Sequence, residues 1–299
     1  MTAERGTLAL FTPSGVVPRA AAIRLAAQRL RARGYDVHVD EAAAARHQRF
    51  GGRDEVRLQA LHRVADLAPG IAMATRGGYG LTRLLDRIDW PLLGRSVERG
   101  TRWVGYSDLT ALHLGLLAHA RAPSWAGPTA LADFGGEDLD DVTADCFDEA
   151  MSGELEAVGF RTAAGFDGLH ARGVLWGGNL TMVCSLLGTP HLPRVRGGIL
   201  FLEDVNEHPY RVERSLLQLA QAGVLGAQKA VLLGHFSDWK PSPLDRGYTL
   251  KSAIEAVRSR TQTPLLSGLP FGHVATRLTL PVGRRVELAV QGREVFVAW

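Results

Sequence analysis

Ser107 is the first residue of this 299-residue chain to suggest chemistry. It sits in Gly105-Tyr106-Ser107-Asp108-Leu109, between two apolar runs. A serine on a strand-to-helix turn is held exposed, with the next N–H groups aimed at its reaction centre, as in a nucleophile elbow. The G-x-S-x-G pattern is incomplete, because Leu109 stands in place of its second glycine. Helix capping by Ser107 or Asp108 is the plainer reading of the same segment. Arg76-Gly77-Gly78-Tyr79-Gly80 is the second candidate. Its glycines permit close backbone approach and positive φ, and N–H groups in such a turn can bind an oxyanion or a phosphate. It lacks the Gly-Lys-Ser/Thr ending of a P-loop and the Rossmann spacing. A tight structural turn would read the same way.

An acid and a base follow. Glu203 and Asp204 close the apolar run Gly198–Leu202, and a carboxylate at the mouth of a buried strand is costly unless solvated or partnered. Asp204, Asn206 or Glu207 can cap the helix that Pro209 opens, which accounts for one of these residues and not for all. Glu203 is preferred to Glu207 because it directly follows the strand. His273 lies in Phe271-Gly272-His273-Val274, held in irregular backbone by its glycine and proline neighbours. Among the ten histidines, His235 and His208 compete with it, each near a strand end. His47, His62 and His119 read as surface or helix-face residues. No His-Glu-x-x-His pair or other metal-ligand spacing stands out. Cys146 and Cys184 make neither a disulfide framework nor a zinc set, so no metal or cofactor is expected. The order Ser107, Glu203, His273 is that of α/β-hydrolases, although triads occur in several orders.

The elements that must position these residues alternate. Leu8–Phe11 reads as a strand ending in Thr12-Pro13-Ser14-Gly15. A helix opened by Pro18 closes at Gly34. Strands at Tyr35–Val39, Ile71–Ala74 and Trp103–Tyr106 are interleaved with helices at Val56–Leu67 and Leu109–His119. Such alternation implies βαβ units and a mainly parallel sheet, so the fold class is α/β. In such sheets ligands bind beyond the carboxyl ends of the strands, where all the loops above fall. Residues 122–136 read as irregular, and a helix covers about 140–151. Residues 159–172, with four glycines and no clear period, read as a linker between an N-terminal domain of residues 1–158 and a C-terminal domain of residues 173–299. The second domain has strands at Val174–Trp176, Gly198–Leu202 and Ala230–Leu233 and a helix at Tyr210–Gln221. It ends β-rich, with Arg285–Val290 and Glu294–Trp299 flanking the hairpin signal Gln291-Gly292.

Composition sets the limits. Apolar residues make up 46% and charged residues 22%, which excludes a disordered chain. The net charge of +3 is too small to argue for nucleic acid, and no Lys/Arg run or RNA-binding aromatic motif occurs. No apolar run approaches the roughly 20 residues of a membrane span. The N-terminal residues lack a signal-peptide pattern, so a cytoplasmic location is expected.

Together these stretches resemble the LD-carboxypeptidases, the serine peptidases that include muramoyltetrapeptide carboxypeptidase. The matching pieces are Thr12–Gly15, Arg76–Gly80, Gly105–Asp108, Trp176-Gly177-Gly178-Asn179-Leu180, Leu202-Glu203-Asp204, Pro209-Tyr210, Glu213-Arg214, Gly272-His273 and Thr279–Gly283. The resemblance implies a flavodoxin-like N-terminal domain, a smaller C-terminal α/β domain and a homodimer. It implies a Ser107–Glu203–His273 triad with oxyanion donors at the N–H groups of Gly78 and Asp108, and a murein tetrapeptide that loses its terminal D-alanine. Arg76 is the candidate cation for the substrate carboxylate, against structural pairing with Asp86 or Asp89. Tyr79, Trp176 and Asn179 are candidate pocket residues, with the core as the other place for Trp176. Some relatives are self-immunity peptidases that hydrolyse aminoacyl-nucleotide antibiotics such as processed microcin C, for which Trp176 or Trp239 could stack the base. A non-catalytic binding module with Arg76–Gly80 as an anion cradle is the alternative from another class. A glutamine amidotransferase would need cysteine at position 107.

Overall fold

The computed structural model describes residues 5–299; Met1–Glu4, which carry part of the signal-peptide reading, lie outside the described residues. In chain order the strands are β1 (Thr7–Phe11), β2 (Asp36–Val39), β3 (Ile71–Ala74), β4 (Arg102–Gly105), β5 (Ser124–Ala126), β6 (Ala157–Arg161), β7 (His170–Asn179), β8 (Ile199–Val205), β9 (Ala230–Ser237), β10 (Leu265–Ser267), β11 (Leu280–Val282), β12 (Arg285–Gln291) and β13 (Glu294–Ala298). The helices are α1 (Ala20–Ala32), α2 (Asp54–Leu67), α3 (Trp90–Glu98), α4 (Thr110–Ala120), α5 (Asp141–Ser152), α6 (Leu180–Ser185), α7 (Pro209–Gln221) and α8 (Leu250–Arg258). Among the described residues, none of the helices is long and apolar enough to cross a membrane. The chain divides into two compact units. One comprises Met1–Leu155, Pro190–Pro193 and Arg277–Val282; the other comprises Glu156–Thr189, Arg194–Thr276 and Gly283–Trp299.

The first unit is built on a sheet ordered β11-β5-β4-β3-β1-β2. Its five N-terminal strands are parallel in the order 2-1-3-4-5, the flavodoxin-like arrangement. β11 adds an antiparallel edge, with Leu280 opposite Ala126. β3 is buried at every position and β1 at all but its first, as expected of strands covered on both faces. Trp103 of β4 is fully buried, with its ring edge-on to Phe11 at 5.4 Å and its indole N–H donated to Ser96 Oγ at 3.0 Å. α4 is buried throughout its first seven residues, which suits a helix apolar on all sides.

The second unit has a sheet ordered β10-β9-β8-β7-β12-β13-β6. β7 serves two roles. Its first half pairs antiparallel with β12, and its second half runs parallel to β8. β8 is buried along almost its whole length, whereas β12, β13 and β6 alternate buried and exposed. One face of that antiparallel end is therefore solvated. The hairpin of β12 and β13 forms as expected, with Gly292 at φ +61°.

Residues 159–172 lie within the second unit: they carry the end of β6, a turn over 162–169 and the start of β7, and β6 pairs with β13. Glycine-rich turn residues, Gly165 at φ +103° and Gly168 at φ +78°, obscure the strand alternation on either side. Residues 173–299 do not form one block, because Pro190–Pro193 and Arg277–Val282 belong to the first unit. Pairing of β11 with β5, far apart in sequence, takes the latter segment there.

Candidate active site

Ser107 lies two residues beyond the end of β4, and α4 starts three residues later. It adopts φ +64°, a left-handed conformation that costs a non-glycine residue about 1–3 kcal/mol. The strained turn leaves its side chain partly exposed while Asp108 is 1% exposed. Ser107 is thus presented rather than spent as an ordinary cap, and no side-chain capping bond is made at the start of α4. His113, one turn into that helix, is fully buried and bonded through Nε2 to the Gly105 carbonyl at 2.9 Å. Burial lowers its pKa to about 4, so the ring is neutral and its N–H donates to the end of β4. Tyr106 lies under the Arg277 guanidinium, 4.2 Å from the ring centroid, and Arg277 in turn pairs with buried Asp133.

The glycine loop after β3 packs against this elbow. A Cβ on Gly77 would fall 2.7 Å from Ser107 Cβ and 3.2 Å from the Asp108 nitrogen, so only glycine lets the backbone come this close. Gly78 next to it has φ +100°. The loop is held at three points: Gly15 N–H donates to Gly77 O at 3.1 Å, Leu81 N–H to Asp108 Oδ2 at 2.9 Å, and Arg57 Nη1 to Gly80 O at 2.9 Å. Arg57 also donates to Pro13 O at 2.7 Å and pairs with Asp54. Burial pushes the Asp108 carboxyl above its ordinary pKa, against the pull of the Ser14 hydroxyl, the Leu81 N–H and the Arg57 charge.

Arg57 was not among the expected residues. It is fully buried on α2, in line with Leu61 and Val64 at spacings of four and seven. An arginine inside an apolar helical stripe was the available signal. Arg76 pairs with neither Asp86 nor Asp89: its Nη1 donates to Val16 O at 3.0 Å, while Asp86 meets His191 and Asp89 caps α3. Tyr79 is 42% exposed and rests against Phe50.

In the second unit, Glu203 and His273 come together. His273 Nδ1 and Glu203 Oε2 are 2.8 Å apart, with the carboxylate fully buried. Local structure explains the meeting. The register of β8 against β9 shifts between Leu202 and Asp204, with the extra residue in β9, so that Gly234 and His235 together stand opposite Glu203. The Phe271–His273 segment is drawn onto β9 by a bond from His235 N–H to Phe271 O at 2.8 Å. Gly234 and Gly272 permit that approach, since a Cβ on Gly234 would fall 2.4 Å from Phe271 O. Ser237 Oγ donates to His273 O at 3.0 Å. Because Nδ1–H faces the carboxylate, the lone pair of the neutral imidazole sits on Nε2.

The neighbouring acids do other work. Asp204 accepts from Thr181 N and Oγ1, fixing the start of α6. Glu207 is partly exposed and 3.9 Å from Arg211. Asn179 is buried beside Glu203 and Asp204. It is 5% exposed, caps α6 by accepting from Met182 N, and donates to Glu203 Oε1 at 3.2 Å and Asp204 Oδ1 at 2.9 Å. Trp176 is a core residue, 1% exposed, with its indole N–H donated to Gln228 Oε1 at 3.0 Å. Trp239 meets His208 edge-on at 5.4 Å, and His208 Nε2 faces Asp245 at 3.1 Å. His235 is exposed.

Known proteins match both halves of the chain. The LD-carboxypeptidase N-terminal domain family matches residues 8–127, and the LD-carboxypeptidase C-terminal domain family matches residues 172–288. The murein tetrapeptide carboxypeptidase of Pseudomonas aeruginosa is 31% identical over 298 residues, covering 95% of this chain and 93% of that protein. The crystal structure of muramoyltetrapeptide carboxypeptidase from Oxalobacter formigenes superposes with a TM-score of 0.89 at 40% identity, covering 97% of each chain. The microcin C7 self immunity protein in complex with aspartyl sulfamoyl adenosine shares the fold, with a TM-score of 0.87 at 21% identity over 99% of this chain and 97% of that one. With both domain families matched in order along most of its length, the chain belongs to the LD-carboxypeptidase family of serine peptidases.

Proposed function

We propose that this LD-carboxypeptidase releases the terminal D-alanine from murein tetrapeptide, with Ser107 as nucleophile, His273 as general base and Glu203 as its orienting carboxylate. The observation that carries this reading is the 2.8 Å contact of His273 Nδ1 with the fully buried Glu203. A buried carboxylate on Nδ1–H fixes the tautomer whose Nε2 can take a hydroxyl proton, and stabilises the imidazolium that results. Asn179 keeps Glu203 in place from the other side.

The steps follow from these groups. His273 removes the Ser107 proton as Oγ attacks the carbonyl of the diamino acid, a contribution of about 10²–10⁴-fold. The N–H groups of Gly78 and Asp108 receive the developing oxyanion, each worth roughly 3–4 kcal/mol if removed. The imidazolium returns its proton to the leaving amine of D-alanine. Water then hydrolyses the acyl-enzyme. Arg76 and Tyr79 are the side chains of the glycine loop available to the substrate carboxylate. Peptidoglycan recycling in the cytoplasm by a homodimer completes the reading.

Ser107→Ala is expected to abolish D-alanine release from a murein tetrapeptide and labelling by a fluorophosphonate, with unchanged circular dichroism. Turnover by that variant at the wild-type rate would remove the serine from the mechanism. Parallel incubation with an aminoacyl sulfamoyl adenylate separates the self-immunity reading, which would be supported by cleavage of that compound in preference to the tetrapeptide.

A further inference from the structure

A cavity of about 600 Å³ in the second unit is lined by His208, Tyr210, Glu213, Leu244, Asp245 and Tyr248, among others. It lies at the same end of the sheet as Glu203: His208 leads from β8 into α7, and the loop bearing Leu244 and Asp245 leaves β9 after Ser237. Its walls are unusual for a solvent-facing surface. Tyr210 is 51% and Leu244 88% exposed, and the Tyr210 and His208 rings are 4.7 Å apart.

Its charge is one-sided. Glu213 accepts from the Tyr248 hydroxyl, and Asp245 accepts from Ser242 N–H and faces His208 Nε2. Among the described residues neither carboxylate has a lysine or arginine within ion-pair distance; the nearby Arg211 pairs with Glu207, donates to the Tyr210 hydroxyl at 3.3 Å and lies over that ring. The His208 ring lies against Asp245 through Nε2, and its Nδ1 is buried without a partner. Two carboxylates without a lysine or arginine partner, beside aromatic rings, attract a cation and repel an anion. The exposed Tyr210 and Leu244 surfaces suit an aliphatic stem behind that cation.

We propose that this cavity binds the side-chain ammonium of the substrate's diamino acid, with Glu213 and Asp245 as its counter-charges. The assignment rests on the peptidase reading above and names the part of the substrate it recognises.

The test compares two tetrapeptides that differ at one atom group: one with L-lysine before the terminal D-alanine, the other with Nε-acetyl-lysine. In Glu213→Gln, which keeps an acceptor for Tyr248, KM for the lysine peptide is expected to rise about tenfold with kcat within about twofold. The acetylated peptide should show less than a twofold change. Asp245→Asn should behave the same way. Equal changes for both peptides, no change for either, or loss of a dimer in place of the KM effect would overturn the assignment. Competition for the cavity by adenosine, stronger than that by lysine amide and weakened equally by both variants, would overturn it in favour of a nucleoside. Failure of the peptidase reading is separate: the wild-type protein would then release D-alanine from neither peptide, although calorimetry could still show the lysine peptide binding and Glu213→Gln weakening it.

Discussion

Single side chains divide here into those that present and those that brace. Ser107 and His273 are presented, and Asp108, Asn179 and Arg57 brace them from buried positions. Asp108 joins the elbow to the glycine loop through its bond to Leu81 N–H. Asp108→Ala removes that tie while leaving the backbone N–H of residue 108 in place. A shift of the loop by about 1 Å is enough to cost roughly 10²-fold in rate. D-alanine release by Asp108→Ala is therefore expected to fall by about that factor, while Asp108→Asn, whose amide oxygen can still accept from Leu81, stays within about tenfold of wild type. The meeting of Glu203 with His273 was anticipated through the resemblance, since by residue type alone Ser107 reads as a cap and His273 competes with His235 and His208. Arg57 and the bracing role of Asn179 were not. Their partners are backbone carbonyls and acids distant in sequence, fixed only when β7 and β8 align Asn179 opposite Glu203.

Elements decide where those residues stand. The parallel strands of the first unit were readable from their apolar runs, and their order follows the flavodoxin-like pattern. β6 and the first half of β7 were missed because their alternation is interrupted by glycines and their partners, β13 and β12, lie more than a hundred residues away. The extra residue of β9 opposite Glu203 leaves no mark in composition. The junction of β4 and α4 carries a prediction of its own. Buried His113 has a folded pKa of about 4, below its ordinary 6.5. Between those values the unfolded chain binds a proton that the folded chain refuses, so stability rises with pH. The contribution is complete above pH 6.5 and is lost as the pH falls toward 4, amounting to about 3 kcal/mol. Urea midpoints are expected to drop between pH 7 and 4.5, and His113→Gln, which can still donate to Gly105 O, should show a smaller drop.

At the scale of the molecule, the chain returns to its first unit twice after leaving it, at Pro190–Pro193 and at Arg277–Val282. The second return brings Arg277 to Asp133, a pair in which both side chains are at most 5% exposed. Removing one partner of a buried pair typically costs about 3–5 kcal/mol, because a charge is left without compensation. Arg277→Met is expected to lose that amount in urea unfolding, and addition of Asp133→Asn, which retains an acceptor for Thr129 N–H, should restore part of it. The same return supplies β11 to the edge of β5. On the ribosome, nearly the whole polypeptide must be translated before that edge is covered. The nascent protein therefore carries an open β5 margin through most of its synthesis, a surface on which a chaperone can act before Leu280–Val282 emerges.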